Sequence, residues 1–304
     1  AGLFTSIVGV TQSIVGACVV LSSFFPPLAV LAEEPRATSA ALASYGQALF
    51  EEGIARWRYS ETVNAVQKEY HWLRGSLRLA WEVELQWEAE EPGRVRCAVP
   101  SVLVRASAAV FCMWGLPRIA VLLLLMFEGA LRPADGAFLC REDLRFPRES
   151  GGVPGAVPCL YVVLRKAKTR HCSARVQHVR IVSPGLICAA FAAFGGLPPQ
   201  TQLFACGQPD RVARLNAWFA SSLRTLGVNA TEAKGFTLAG LRAGGITALF
   251  RQTGNLPLVK WRGRWDSAQT MDNYIQELEG SDAYANVPAG VRGDLQALSD
   301  RLPG

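Results

Sequence analysis

Residues 119–130 (IAVLLLLMFEGA) hold one charged side chain, Glu128, in 12 positions. A segment that is apolar on every side has no face suited to water and has to be buried. It is too short to cross a bilayer comfortably. A helix inside a core is therefore expected, with other elements packed around it. The 304 residues provide for one or two domains and a sizeable core.

Periodicity predicts the neighbouring elements. Residues 41–55 place Leu42, Tyr45, Leu49 and Ile54 near one helical face. Ser60 is expected to cap a second helix, along which Val63, Val66, Tyr70, Leu73 and Leu77 recur at three- and four-residue steps. A third helical stretch covers about 77–89. Glu90-Glu91-Pro92-Gly93 reads as a linker. Beyond it, helices are expected at 101–114, 119–130, 184–194, 210–226, 238–250, 256–261 and 267–278. Residues 138–146, 160–164 and 176–182 read as strands, the first two separated by a Gly/Pro-rich loop.

Charge is unevenly placed on a chain of net charge +6. Residues 1–32 carry none. Residues 33–98 hold eight basic and eleven acidic side chains, a net of −3, which leaves +9 for the rest. The basic surface thus belongs to the C-terminal two-thirds, compatible with a nucleic-acid partner. Eight cysteines are scattered without a C-x-x-C pair, and there are three histidines, so no metal site is expected. Most of the cysteines lie in apolar runs and read as buried free thiols in a reducing compartment.

The chemistry-bearing stretch is 235–277. It carries Arg242 in Leu-Arg-Ala-Gly-Gly, Trp265 in Gly-Arg-Trp 23 residues on, and Tyr274 nine residues after that. Cleaving a phosphodiester without a metal requires a nucleophile, cations for the non-bridging oxygens and an acid for the leaving oxygen. Tyr is a nucleophile, and Arg holds phosphate oxygens in a planar fork. Upstream, Leu131-Arg132-Pro133-Ala134-Asp135 follows the apolar run, and Arg165-Lys166-Ala167-Lys168-Thr169-Arg170 makes a basic turn between two strands.

This ordered set resembles the tyrosine recombinase (phage integrase) family over about residues 37–280, in the manner of divergent integrase-like proteins of mobile elements. The resemblance implies a fold that is mainly α with a small antiparallel β-sheet (α+β). A helical core-binding domain (33–92) closes over DNA and a catalytic domain (93–280) follows, then a C-terminal tail (281–304). It implies catalytic roles for Arg132, Lys168, Arg242, Trp265 and Tyr274, with Asp135 supporting Arg132. Lys166 competes with Lys168 for the hairpin position. The implied partner is double-stranded DNA, bound by a homo-tetramer that swaps C-terminal segments, with no cofactor and no metal. Arg56, Arg58, Lys68, Arg74 and Arg264 are candidate DNA contacts; solvated helix surface is the competing reading of the first four.

One position departs from the pattern. The family places His three residues before the second Arg, and this chain has Ala239 there. His171 and His178 are the nearby replacements. Two readings follow: strand cleavage and rejoining through a 3′-phosphotyrosine in recombination or integration, or a recombinase-derived protein that holds DNA without cutting it.

Residues 1–32 read as a membrane span, as the apolar part of a secretory signal ending in Val30-Leu31-Ala32, or as a poorly ordered extension. No basic flank accompanies them, and Pro26-Pro27 interrupt them. The expectation is an intracellular protein located with DNA, the nucleus in a eukaryote, with membrane attachment only if this segment is a true span.

Overall fold

The computed structural model describes residues 32–91, 97–147, 157–165, 176–205, 210–265, 271 and 274–300. The chain forms two compact units, Ala1–Arg94 and Val95–Gly304. The apolar segment 1–31 lies outside the described residues. No described helix is long and apolar enough to cross a membrane.

The first unit is helical: α1 (Pro35–Glu51), α2 (Arg56–Glu69) and α3 (Arg78–Glu90). Its core gathers Leu42, Tyr59, Val63, Val66, Leu77 and Trp87, all close to fully buried. Tyr59 is buried with its hydroxyl donating to the Ala80 carbonyl at 2.8 Å, which satisfies the one polar atom the ring brings inside. Two boundaries differ from the sequence reading. The first helix starts at Pro35, because proline suits a first helical turn. Ser60 does not cap the second helix. It lies inside α2, and its hydroxyl donates to Glu84 Oε1 at 2.9 Å.

The second unit is built around the apolar run. Pro117–Glu128 forms α5, which packs against α4 (Ser101–Met113), α7 (Pro184–Phe194) and α10 (Leu238–Thr253). Ile119 to Leu123 and Leu125 to Phe127 are all buried, as a helix surrounded on several sides requires. Between α5 and α7 come α6 (Pro133–Ala137) and an antiparallel sheet in the order β1 (Leu144–Arg145), β2 (Leu160–Leu164), β3 (Gln177–Ile181). The register pairs Leu144 with Val162, and Leu160 with Ile181. Leu160, Val162 and Leu164 alternate onto the core face.

After α7 the chain continues through α8 (Arg211–Thr225), α9 (Ala230–Gly235), α10, α11 (Leu256–Gly263), α12 (Glu277–Ala285) and α13 (Ala289–Asp300). The fold is mainly helical with a small antiparallel sheet. The long strand expected at 138–146 is cut to two residues. The Cys140 N–H donates to Asp143 Oδ2 at 2.9 Å, and this tight turn winds 141–143 into a single helical turn. Helix α13, within the expected C-terminal tail, packs on the second unit. Leu295 of α13 is fully buried, and Arg105 of α4 donates through Nη2 to the Ser299 carbonyl at 2.9 Å.

The expectation of buried thiols is corrected. Of the five described free cysteines Cys159 is buried, Cys97 and Cys140 are half-buried, and Cys112 and Cys188 are exposed. An apolar run in a helix still turns one side to water, which is where Cys112 falls.

Candidate active site

Helix α10 delivers Arg242. The Leu238 N–H at its start donates to Asn216 Oδ1 of α8 at 3.0 Å, so the helix entry is fixed from a distant segment. A Cβ at Gly244 would lie 2.0 Å from the Val99 carbonyl oxygen, and one at Gly245 2.0 Å from that of Phe127. Only hydrogen fits at either place. The two glycines therefore let α10 lie backbone to backbone against the 97–99 segment and the end of α5. Arg242, two residues earlier, enters the interior with 2% of its surface exposed.

The Arg242 guanidinium donates through Nη1 to the Ala130 carbonyl at 3.3 Å and through Nη2 to the Gly263 carbonyl. Its carbon lies 5.0 Å from the Trp265 ring centroid and 5.5 Å from that of Tyr274. The two rings are 4.7 Å apart and tilted by 39°. The three residues picked out by spacing thus meet at one point, with the cation against both rings. Gly263 is required beneath Trp265, since a Cβ there would fall 2.0 Å from the ring.

Arg264 follows in the left-handed region, φ 56°, as the residue that ends α11. Its side chain is 8% exposed and forms an ion pair with Asp135 (Nη2 to Oδ2, 3.4 Å). Nη2 also donates to the Ala130 carbonyl at 3.3 Å. Asp135 contacts two arginines. The carboxylate braces Arg264, and it reaches Arg132 through the backbone, accepting the Arg132 N–H at 3.3 Å. Arg132 precedes α6, whose first turn carries Asp135.

Burial, then Arg264 and Arg132, push the Arg242 guanidinium down to about 9. Burial is also the main cause that brings Arg264 down to about 10, with Asp135 opposing it and Arg132 adding to it. Both stay charged at neutral pH.

Tyr274 is half-buried and sits in a turn, its N–H donating to the Met271 carbonyl at 2.8 Å. The helix expected over 267–278 does not include it. The turn is held by Thr247 of α10, whose hydroxyl donates to the Tyr274 carbonyl and accepts the Gln276 N–H, each at 3.1 Å. Gln276 in turn accepts the Ala98 N–H through Oε1 at 2.8 Å. Thr247 and Gln276 carry no motif signal. Only the position of Thr247 on α10, five residues past Arg242, could have suggested it.

Lys168, its competitor Lys166 and His171 lie outside the described residues. His178 on β3 is exposed and lines a cleft of about 280 Å³ together with Arg180, Lys260, Arg262, Arg264 and Trp265. Ala239 occupies the first turn of α10, half-buried. In the first unit, Arg56 is committed to Glu84 and Glu88 at 3.4 and 3.1 Å. Arg58, Lys68 and Arg74 are exposed. No group of three or more metal-ligating side chains occurs among the described residues.

No family model and no curated protein matches the chain. Among solved structures it is similar to a lambda integrase dimer bound to a COC′ core site, at 12% identity and a TM-score of 0.48. That match covers 79% of this chain and 64% of the other, so the chain spans just under two thirds of the length of that relative. A lambda integrase (75–356) dimer bound to a COC′ core site matches at 13% identity and 0.49, covering 90% and 89%. XerH site-specific recombinase bound to palindromic difH substrate, a post-cleavage complex, matches at 11% and 0.49, covering 81% and 70%.

Chemically, the arrangement combines a half-buried phenol, an indole and three converging guanidiniums. Such a set suits a phosphate ester, with donors oriented before charge develops on its oxygens.

Proposed function

We propose that the chain breaks and rejoins strands of double-stranded DNA through a phosphotyrosine bond, in site-specific recombination or integration. The observation that carries this reading is the meeting of Arg132, Arg242, Trp265 and Tyr274, brought from separate segments around one buried arginine. Tyr274 Oη attacks the scissile phosphorus and the P–O5′ bond breaks. The strand is left on the tyrosine as a 3′-phosphodiester, and Lys168 gives a proton to the departing 5′ oxygen. Arg132 and Arg242 neutralise the phosphorane, where each preorganised donor counts for roughly 10²–10³-fold in rate. Trp265 packs beside the phosphate. A 5′-OH then reverses the attack and reseals or exchanges strands. The bond energy is conserved on the tyrosine, so no nucleotide is consumed. Arg58, Lys68 and Arg74 add sequence-independent phosphate contacts. The family resemblance implies a homo-tetramer on two duplexes as the assembly that exchanges strands.

The polarity of the linkage tests the reaction. A nicked duplex labelled at either end of the cut strand is incubated with protein and resolved under denaturing conditions. The account expects the label upstream of the break to migrate with protein and the downstream fragment to carry a free 5′-OH. Protein attached to the downstream fragment would sink it. The second reading, a protein that holds DNA without cutting, is favoured by Ala239, which cannot relay a proton. It predicts salt-sensitive DNA binding and no adduct of either polarity.

A further inference from the structure

The three arginines of the site bring more hydrogen-bond donors than the protein satisfies. Arg132 Nη1, Arg242 Nε, and both Nε and Nη1 of Arg264 are buried with no partner among the described residues. They lie together, because Arg242 and Arg264 share the Ala130 carbonyl, while Arg264 and the Arg132 backbone share Asp135 Oδ2. One buried donor left unsatisfied on a charged group is costly, and native structures hold few. Four in one cluster mark the place of a missing acceptor.

Charge identifies the acceptor. Among the described residues these three guanidiniums face one carboxylate, Asp135, which leaves two positive charges uncompensated. Buried charge without a partner is strongly unfavourable. A group bearing several oxygens and two negative charges would satisfy both deficits. It has a way in: Arg264 lines the 280 Å³ cleft, and Asp135 lines another of about 520 Å³ with Phe138 and Arg165.

We propose that Arg264 is a third guanidinium of the phosphate site, and that Arg132, Arg242 and Arg264 together take a tetrahedral oxyanion without DNA, a dianion in preference to a monoanion. The proposal rests on the phosphoryl-transfer reading and sharpens it. A phosphodiester carries one negative charge, and the phosphorane formed when a phenolate adds to it carries two. A site with two uncompensated positive charges is matched to the second species, and only such differential binding accelerates a reaction. Asp135 sets the count. Without it the cluster would hold three.

The test uses inorganic phosphate, mostly dianionic at pH 8, against dimethyl phosphate, a monoanion, with ionic strength held constant by sodium chloride. Binding is read by calorimetry and by the rise in Tm. Inorganic phosphate is expected to bind saturably, with dimethyl phosphate about tenfold weaker or more, the size of effect one hydrogen-bonded charge commands. Arg264→Gln is expected to weaken phosphate about tenfold and erase the preference, Arg264→Lys to fall between because a point charge lacks the fork, and Asp135→Asn to tighten it. Equal responses to phosphate, dimethyl phosphate and chloride in the unmodified protein would overturn the proposal without any variant. Full phosphate affinity and preference in folded Arg264→Gln would remove Arg264 from the site. Anion preference with no DNA adduct would leave this inference standing while the cleavage reading falls. An adduct without anion preference would do the reverse.

Discussion

Arg242 and Arg264 donate to the same acceptor, the carbonyl oxygen of Ala130, each at 3.3 Å. That carbonyl is presented by a residue at φ 45°, 2% exposed and packed with Ile246, Val259 and Trp265. A left-handed alanine is a strained way to end a helix. Here the strain buys an oxygen between two cations. Ala130→Val adds bulk and a β-branch that resists this φ. It is expected to destabilise the second unit by about 2–3 kcal/mol in urea unfolding, and to reduce adduct formation more than DNA binding.

Gly244 is one of the positions at which α10 has no room for a side chain. Gly244→Ala would drive a methyl to 2.0 Å from the Val99 carbonyl oxygen. Overpacking against backbone is expected to cost about 3 kcal/mol. Gly235→Ala, where nothing lies within 4 Å of an added Cβ, is the control and should be neutral to within about 0.5 kcal/mol. Comparable unfolding midpoints for the two variants would show that α10 does not need the close approach.

The depressed arginines give the phosphate effect a pH profile. Burial holds Arg242 near 9 in the folded protein, well below its value in the unfolded chain. Between these values the unfolded state binds more protons, so without anion this group makes stability rise with pH. An oxyanion binds the charged form and holds it protonated. The gain in Tm on adding phosphate should therefore be full at about pH 8 to 9, where phosphate is the dianion and both arginines are charged, and shrink as pH rises through 9 to 10, the values of Arg242 and Arg264. A gain that stays level to pH 10.5 would contradict the assignment.

Ala239 leaves the family pattern without its acid/base partner. Ala239→His is expected to raise the cleavage rate by roughly 10²–10⁴-fold, the usual contribution of a positioned proton-transfer group, in single-turnover assays on nicked DNA. An unchanged rate would mean that another group already does the work. His178, in the cleft beside Trp265, is then the next residue to replace.

Much of the fold was readable because local and global signals agree. The apolar run became the central helix. Leu160–Leu164 and Pro184–Phe194 took the bounds expected of them, with Ser183 Oγ accepting the Leu186 N–H at 3.3 Å. What was lost depends on partners far away in sequence. The pattern cannot say that Thr247 and Gln276 hold Tyr274 in a turn, that Asp135 reaches Arg264 across 129 residues, or that Asp143 folds back to cut a strand short. Spacing identified Arg242, Trp265 and Tyr274. It missed the depth of Arg264, because an arginine after a glycine in a turn ordinarily reads as solvent-exposed.

The most direct measurement is covalent trapping on nicked suicide duplexes, comparing the unmodified protein with Tyr274→Phe under SDS. The account predicts a protein–DNA adduct in the first and none in the second, with DNA affinity and unfolding midpoint unchanged in Tyr274→Phe. An adduct that survives Tyr274→Phe would put the nucleophile elsewhere. No adduct from the unmodified protein, with salt-sensitive DNA binding intact, would make this a protein that holds DNA and does not cut it.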